Sequence, residues 1–98
     1  MQTMLEAIAQ LRRQGYKHDF TLEELRQFDP EQFGHDYVVD QTYRFDELSD
    51  PEDQSTLYAV SSRDGRTHGI LVNGYGLYSD PVVTGLLDHL EARRNERN

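Results

Sequence analysis

The segment that decides the fold is residues 56–72, TLYAVSSRDGRTHGILV, in which an Asp-Gly pair lies between two apolar runs. This arrangement is a strong signal for a β-hairpin, because a type I′ turn requires positive φ at both of its central residues. If Asp64 and Gly65 form a two-residue loop, Tyr58 lies opposite Leu71 on the neighbouring strand. We therefore predict an antiparallel hairpin at the centre of this chain.

Both faces of the predicted hairpin are apolar, because the alternating positions of each strand carry large aliphatic or aromatic residues. Such a hairpin belongs in the middle of a sheet or at an interface. The residues of one face are Leu57, Ala59, Ile70 and Val72, and those of the other are Tyr58, Val60 and Leu71.

Helices are predicted at both ends of the chain. Thr3 and Glu6 form a capping-box pattern, and apolar residues at helical spacing follow it, which predicts a helix over residues 4–14. Asp80-Pro81 begins a second pattern, because Pro is favoured at the first helical position, and this predicts a helix over residues 82–92.

The segment between the first helix and the hairpin contains shorter elements. It predicts a short strand at residues 16–20 and a short helix at residues 21–28. Asp29-Pro30 predicts a turn that ends at Gly34, because Pro disfavours helix in the residue before it. Alternating apolar residues then predict a half-buried strand over residues 35–46, with Tyr37, Val39, Tyr43 and Phe45 on one face.

This order of elements predicts an α+β fold. The expected structure is an antiparallel sheet of about three to five strands, with the N- and C-terminal helices packed on one face. Residues 1–92 should form a single domain, followed by a polar, frayed tail at residues 93–98.

The charge of the chain is concentrated in residues 29–53, which hold nine acidic residues and one basic residue, Arg44. The flanking segments are each neutral, so this stretch accounts for the whole formal charge of -8. Such a cluster requires solvation, salt screening or a cationic partner. Nine of the ten basic residues are Arg, which fits adaptation to high salt or a GC-rich genome.

Composition excludes several classes of protein. The chain has no Cys, which excludes disulfides, thiolate zinc sites and thiol nucleophiles. The acidic balance argues against direct binding of nucleic acid. No apolar run is long enough to span a membrane and no secretory signal is present, so we expect a cytoplasmic protein with no membrane contact. No nucleotide-binding or hydrolase motif is present, and no cofactor is expected.

Two groups of residues are candidates for a site. The acidic loop places Asp46, Asp50 and Asp53 close in sequence, and these carboxylates form either a weak cation site or a solvated loop. The hairpin offers an apolar face for a protein partner or a second copy of the chain. The residues of this hypothetical binding face are Tyr43, Arg44, Tyr58, Val60, Leu71 and Tyr75. The alternative is that the helix at residues 21–28 covers this face as core.

Four stretches of the sequence carry a resemblance: YRFD at 43–46, DPEDQS at 50–55, LYAVSS at 57–62 and GILVNGYGLY at 69–78. Together they resemble a family of small bacterial proteins that often bear the name "phosphoribosylpyrophosphate synthetase". That name does not fit this chain, because such a synthetase is much longer and needs a small-residue loop that holds the ribose phosphate. The resemblance therefore implies no catalytic residues.

The sequence favours a non-catalytic binding or regulatory module. One alternative is a small enzyme in which Asp46, Asp50 or Asp53 acts as a base or holds a metal ion. The other is an acidic decoy that occupies the basic surface of a nucleic-acid-binding protein.

Overall fold

The computed structural model describes residues 2–45, 55–74 and 81–92. Three segments of the chain lie outside the described residues. They are the predicted acidic loop with Asp46, Asp50 and Asp53, the stretch at residues 75–80 and the polar tail at residues 93–98. The described elements are α1 (Met4–Arg13), β1 (His18–Asp19), α2 (Leu22–Leu25), α3 (Pro30–Asp36), β2 (Tyr37–Phe45), β3 (Ser55–Ser62), β4 (His68–Gly74), α4 (Pro81–Leu87) and β5 (Glu91–Ala92).

The strands form one sheet in the order β1-β4-β3-β2-β5. The central pairs β2–β3 and β3–β4 are antiparallel, whereas β1 pairs with β4 and β5 pairs with β2 in parallel. The α+β class is therefore confirmed, but the sheet is mixed and not purely antiparallel. The difference comes from the two short edge strands, because each pairs with a strand that is distant in sequence.

The register of the hairpin is as predicted, with Tyr58 opposite Leu71 across β3 and β4. The turn differs from the prediction, because Gly65 has a φ of 79° and no non-glycine residue of the described chain has positive φ. The loop spans residues 63–66, since Ser62 N–H donates to the Thr67 carbonyl at 2.9 Å. Loops of this length are most often built around a type I turn, whose central residues have negative φ.

Hydrogen bonds from side chains stabilise this four-residue loop, which replaces the predicted two-residue loop. The Ser62 hydroxyl accepts hydrogen bonds from the Arg66 and Thr67 amides at 3.1 and 2.9 Å. The same hydroxyl donates to the Asp64 carboxylate at 2.6 Å, and this carboxylate also accepts from the Arg66 amide. The amide donors that a four-residue loop exposes are therefore satisfied locally.

The turn predicted from Asp29 to Gly34 is instead the helix α3. The Asp29 side chain accepts a hydrogen bond from the Gln32 amide at 3.1 Å and caps the helix. Pro30 occupies the first turn, where the missing N–H carries no penalty. The proline therefore begins a helix here, and the prediction of a turn was wrong.

Strand β2 contains a β-bulge, which the sequence did not indicate. The register with β3 shifts between Val39 and Gln41, so Asp40 is the extra residue. The shift reverses the faces of the strand. Val39 therefore lies on one face of the sheet and Tyr43 on the other, although simple alternation predicted one face for both.

The sheet is covered on both faces. The larger buried cluster joins β2, β3 and β4 to α2, α3 and α4, and its residues are Phe20, Leu25, Phe33, Val39, Val60, Leu71, Val83 and Leu86. The smaller cluster joins α1 to the other face, and its residues are Ala7, Leu11, Leu57, Ala59 and Ile70. The two terminal helices therefore contact opposite faces, not one face as expected.

The ends of the chain agree with the prediction in part. The capping box of α1 is present, with the Glu6 amide donating to the Thr3 hydroxyl at 3.2 Å. The C-terminal helix is shorter than predicted, because α4 ends at Leu87 and is followed by β5. The strand predicted at residues 16–20 is present only as the two-residue β1, and the helix predicted at residues 21–28 only as the four-residue α2.

Candidate functional site

The structure buries two of the six residues of the hypothetical binding face. Val60 and Leu71 are each 0% exposed beneath the helices of the larger cluster. A partner cannot contact either side chain while these helices are in place. The alternative that a helix covers this face is supported, because Leu25 of α2 belongs to the same cluster.

The other members of the predicted site are separated. Tyr43 packs against the cluster of α1, whereas Tyr58 packs against the cluster on the opposite face. Arg44 pairs in register with Thr56, two positions along β2 from the Thr42–Tyr58 pair. Tyr75 lies outside the described residues, so the structure brings together only part of the set.

The predicted metal ligands Asp46, Asp50 and Asp53 also lie outside the described residues. Within residues 2–45, 55–74 and 81–92, no group of three or more His, Asp or Glu is placed to hold a metal ion.

The charged residues around the hairpin turn form a cleft with the end of α3. This hairpin cleft has a volume of about 440 Å³, which lies in the usual range for small-ligand sites. Three parts of the chain form it: the α3–β2 junction, the end of β3 and the turn. The lining residues are His35, Asp36, Tyr37, Ser62, Arg63, Asp64, Arg66 and Thr67.

Arg63 joins the turn to the α3–β2 junction. Its backbone N–H donates to the Asp36 carbonyl at 2.7 Å, and its guanidinium Nε donates to the His35 carbonyl at 2.8 Å. The two bonds fix the spacing of the two walls of the cleft. The geometry of the hairpin cleft is therefore set by backbone contacts as well as by side chains.

The electrostatics of the cleft follow from its carboxylates. Burial raises the pKa of the Tyr37 phenol, and the nearby charges of Glu24, Asp36 and Asp64 raise it further. Hydrogen bonds from the Ser62 hydroxyl and the Arg66 amide lower the pKa of Asp64. At neutral pH the cleft therefore holds a protonated phenol, a carboxylate at Asp64 and guanidinium groups.

A second polar group, the Asp40 network, lies on the α1 side of the sheet. The Tyr16 hydroxyl donates to Asp40 Oδ2 at 2.7 Å, and the Ser61 hydroxyl donates to the same oxygen. Ser61 Oγ also lies 2.9 Å from His68 Nδ1, and His68 Nε2 lies 3.1 Å from the Gly65 carbonyl oxygen. The bulge explains this network, because it brings the Asp40 carboxylate to the side of Tyr16 and Ser61.

The Asp40 network contains Ser, His and Asp, but its connections are not those of a nucleophilic triad. In such a triad the carboxylate orients the imidazole, and the imidazole activates the serine. Here the carboxylate contacts Ser61 directly, and Ser61 is 2% exposed. His68 Nε2 is also occupied by a carbonyl of the turn. The network therefore ties the turn and the segment after α1 to the sheet.

A groove of about 420 Å³ runs along residues 21–28. Its lining residues are Thr21, Glu23, Glu24, Gln27 and Phe28, all from one short segment of the chain. It is thus formed by α2 and the residues on either side of this short helix, and His18 already contacts Glu24 at 2.8 Å there. The hairpin cleft is the stronger candidate because separate elements converge on it.

The position of Tyr16 leads to a prediction about alkaline pH. Burial raises the pKa of this phenol, as do its hydrogen bond to Asp40 and the charge of that carboxylate. The unfolded phenol ionises near pH 10, so above this pH the folded chain binds more protons than the unfolded chain. This part of the stability is complete below pH 10 and is lost as pH rises through the folded pKa.

Urea denaturation between pH 9 and 12 tests this prediction. We expect the stability of Tyr16→Phe to fall less steeply with pH than that of the wild type, and that of Tyr16→Phe with Tyr37→Phe to fall least steeply. Lys17 is the only Lys, so few amines titrate in this range. Equal slopes for all three proteins would contradict the prediction.

The sequence indicated only one wall of the hairpin cleft, the wall that the turn forms. Arg63, Asp64 and Arg66 stand together around the turn, which marks them as charged groups at one end of the sheet. Their counterparts His35 and Asp36 were both assigned to the start of the strand predicted over residues 35–46, whereas they end the helix α3. Without the helix α3, nothing placed these residues beside the hairpin.

No protein-family model matches the chain, and neither the curated proteins nor the solved structures include a significant match. Within the described residues, every helix is too short or too polar to traverse a bilayer.

Proposed function

We propose that this protein is a non-catalytic binding module and that the hairpin cleft is its binding site. The observation that supports the proposal is the convergence of three chain segments on a cleft of about 440 Å³ with charged walls. Sites of this kind combine a preformed shape with a few polar groups that orient the ligand. The hydrogen bonds from the Arg63 backbone N–H and guanidinium Nε to two main-chain carbonyls supply the preformed shape.

The arrangement of acids and bases favours binding over catalysis. A general base needs a proton donor or nucleophile within hydrogen-bond reach. In the Asp40 network the serine is buried, and both nitrogens of His68 face oxygen atoms of the protein. In the cleft, the Asp64 carboxylate accepts bonds that hold the turn. These groups therefore serve the structure of the site.

In the sequence-based prediction, another protein or a second copy of the chain binds the apolar face of the hairpin. In this proposal, such a partner binds a different surface. Val60 and Leu71 are buried, so the original face is closed to it. The exposed end of the hairpin, with Arg63 and Arg66 beside the cleft, replaces that face as the proposed contact region.

NMR titration of the ¹⁵N-labelled protein with a panel of small charged compounds tests the proposal. We expect saturable shifts of the backbone amides at residues 35–37 and 62–67, with little change elsewhere. The internal comparison is the group of amides at residues 42–44, which the original tyrosine hypothesis would perturb. Saturable shifts confined to those amides, or no saturable shift with any compound, would overturn the proposal.

A further inference from the structure

The walls of the hairpin cleft carry charges of both signs. Arg63 and Arg66 contribute guanidinium groups, and Asp36 and Asp64 contribute carboxylates. His35 adds an imidazole at the rim. The cleft therefore differs from the segment of residues 29–53, in which acidic residues predominate.

The carboxylates are oriented by the fold but are not saturated. Asp36 accepts hydrogen bonds from the Gln32 side-chain amide at 3.1 Å on each oxygen. Asp64 accepts from the Ser62 hydroxyl and the Arg66 amide through one oxygen, Oδ1. Since an ionised carboxylate has about four acceptor sites, each can accept a further donor.

The presence of both guanidinium groups and carboxylates restricts the ligands that the cleft can bind. A simple anion placed against Arg66 also approaches the carboxylates of Asp36 and Asp64, and like charges repel. A simple cation meets the guanidinium groups in the same way.

We propose that the hairpin cleft binds a small zwitterion that carries one ammonium and one carboxylate group, as amino acids do. The carboxylate pairs with the guanidinium groups, whose planar fork suits two oxygens, and the ammonium pairs with Asp36 or Asp64. This inference rests on the proposed function, since it names the ligand class for the same cleft.

Three matched probes test the pairing of charges: glycylglycine, N-acetylglycylglycine and glycylglycine amide. The second lacks the ammonium group and the third lacks the carboxylate. ¹⁵N NMR titrations at low salt should show that glycylglycine binds at residues 35–37 and 62–67. Each blocked form should bind about fivefold more weakly, as expected for the loss of one exposed ion pair.

Two protein variants assign the charges. Arg66→Gln should weaken glycylglycine about fivefold but leave glycylglycine amide unchanged, because the amide has no carboxylate to pair. Asp36→Asn should have the reverse pattern, weakening the amide but not N-acetylglycylglycine. Arg26→Gln is the matched control, since Arg26 is exposed at the end of α2 and does not line the cleft.

The outcomes separate this inference from the proposed function. If N-acetylglycylglycine or inorganic phosphate binds the cleft as tightly as glycylglycine, the zwitterion inference is wrong and the binding site stands. If glycylglycine amide binds as tightly as glycylglycine, the zwitterion inference is likewise wrong and the binding site stands. If none of the probes, including phosphate, shifts the cleft amides, the zwitterion inference is overturned, and the broader panel then decides the proposed function.

Discussion

Replacing Phe33 by Ala should remove about 4 kcal/mol from the free energy of unfolding, as for other fully buried phenylalanines. Phe33 is 0% exposed and belongs to the larger cluster. Its ring centroid is 4.9 Å from those of Phe28 and Tyr37, and 6.2 Å from that of Phe20. Truncation therefore removes several aromatic contacts and leaves a cavity that rigid neighbours cannot fill.

Urea denaturation followed by circular dichroism measures this loss. A small domain has about 5–15 kcal/mol of stability, so the variant should be close to unfolding. Phe28→Ala is the comparison, because Phe28 contacts Phe33 and Tyr37 but is only partly buried, and it should lose less. If Phe33→Ala does not fold, Phe33→Leu provides the measurable case. Similar losses for Phe28→Ala and Phe33→Ala would contradict the packing described here.

Gly34→Ala should destabilise the protein by about 2 kcal/mol, although Ala is normally the better helix former. A Cβ atom at this position would lie 2.2 Å from the carbonyl oxygen of His89 and 2.7 Å from its Cβ. The contact is with backbone that follows α4, so it cannot be relieved by rotating a side chain. Overpacking here costs about 1–3 kcal/mol and outweighs the gain in helix propensity of about 1 kcal/mol.

Gly85→Ala is the matched control, because Gly85 also lies within a helix. A Cβ atom there would meet nothing within 4 Å, so the close packing that a glycine at this position suggests is absent. This variant should gain up to about 1 kcal/mol from helix propensity. Thermal and urea denaturation of both variants should give opposite signs. A stabilised Gly34→Ala protein would show that α3 and the segment after α4 do not approach so closely.

Local patterns were sufficient for much of the fold. The capping box at Thr3 and the apolar spacing after it predicted α1, and the Asp-Gly signal predicted the register of β3 with β4. These features depend on residues near one another in sequence, so the chain pattern contains the relevant information. The residues of the turn itself were also predicted, although its geometry was not, because Ser62 and Asp64 satisfy the loop amides in another way.

The sequence-based predictions failed at residues that are compatible with two different local structures. Pro30 is equally suited to end a segment or to begin a helix, and the capping bond from the Gln32 amide to Asp29 decides for a helix. Asp40 was assigned to a simple alternating strand. Its bulge is stabilised by the hydroxyl groups of Tyr16 and Ser61, which lie 24 and 21 residues away in the chain.

The α+β class, the central hairpin, the N-terminal helix and the concentration of negative charge in residues 29–53 follow from the amino-acid sequence alone. The face that each helix covers, and so the residues that can meet a ligand, depend on contacts between distant segments. Val60 and Leu71 are apolar enough for either core or interface, and burial by distant helices settles the choice. The hairpin cleft likewise exists because α3 places His35 and Asp36 beside Arg63, a contact between segments about 28 residues apart that local patterns do not encode.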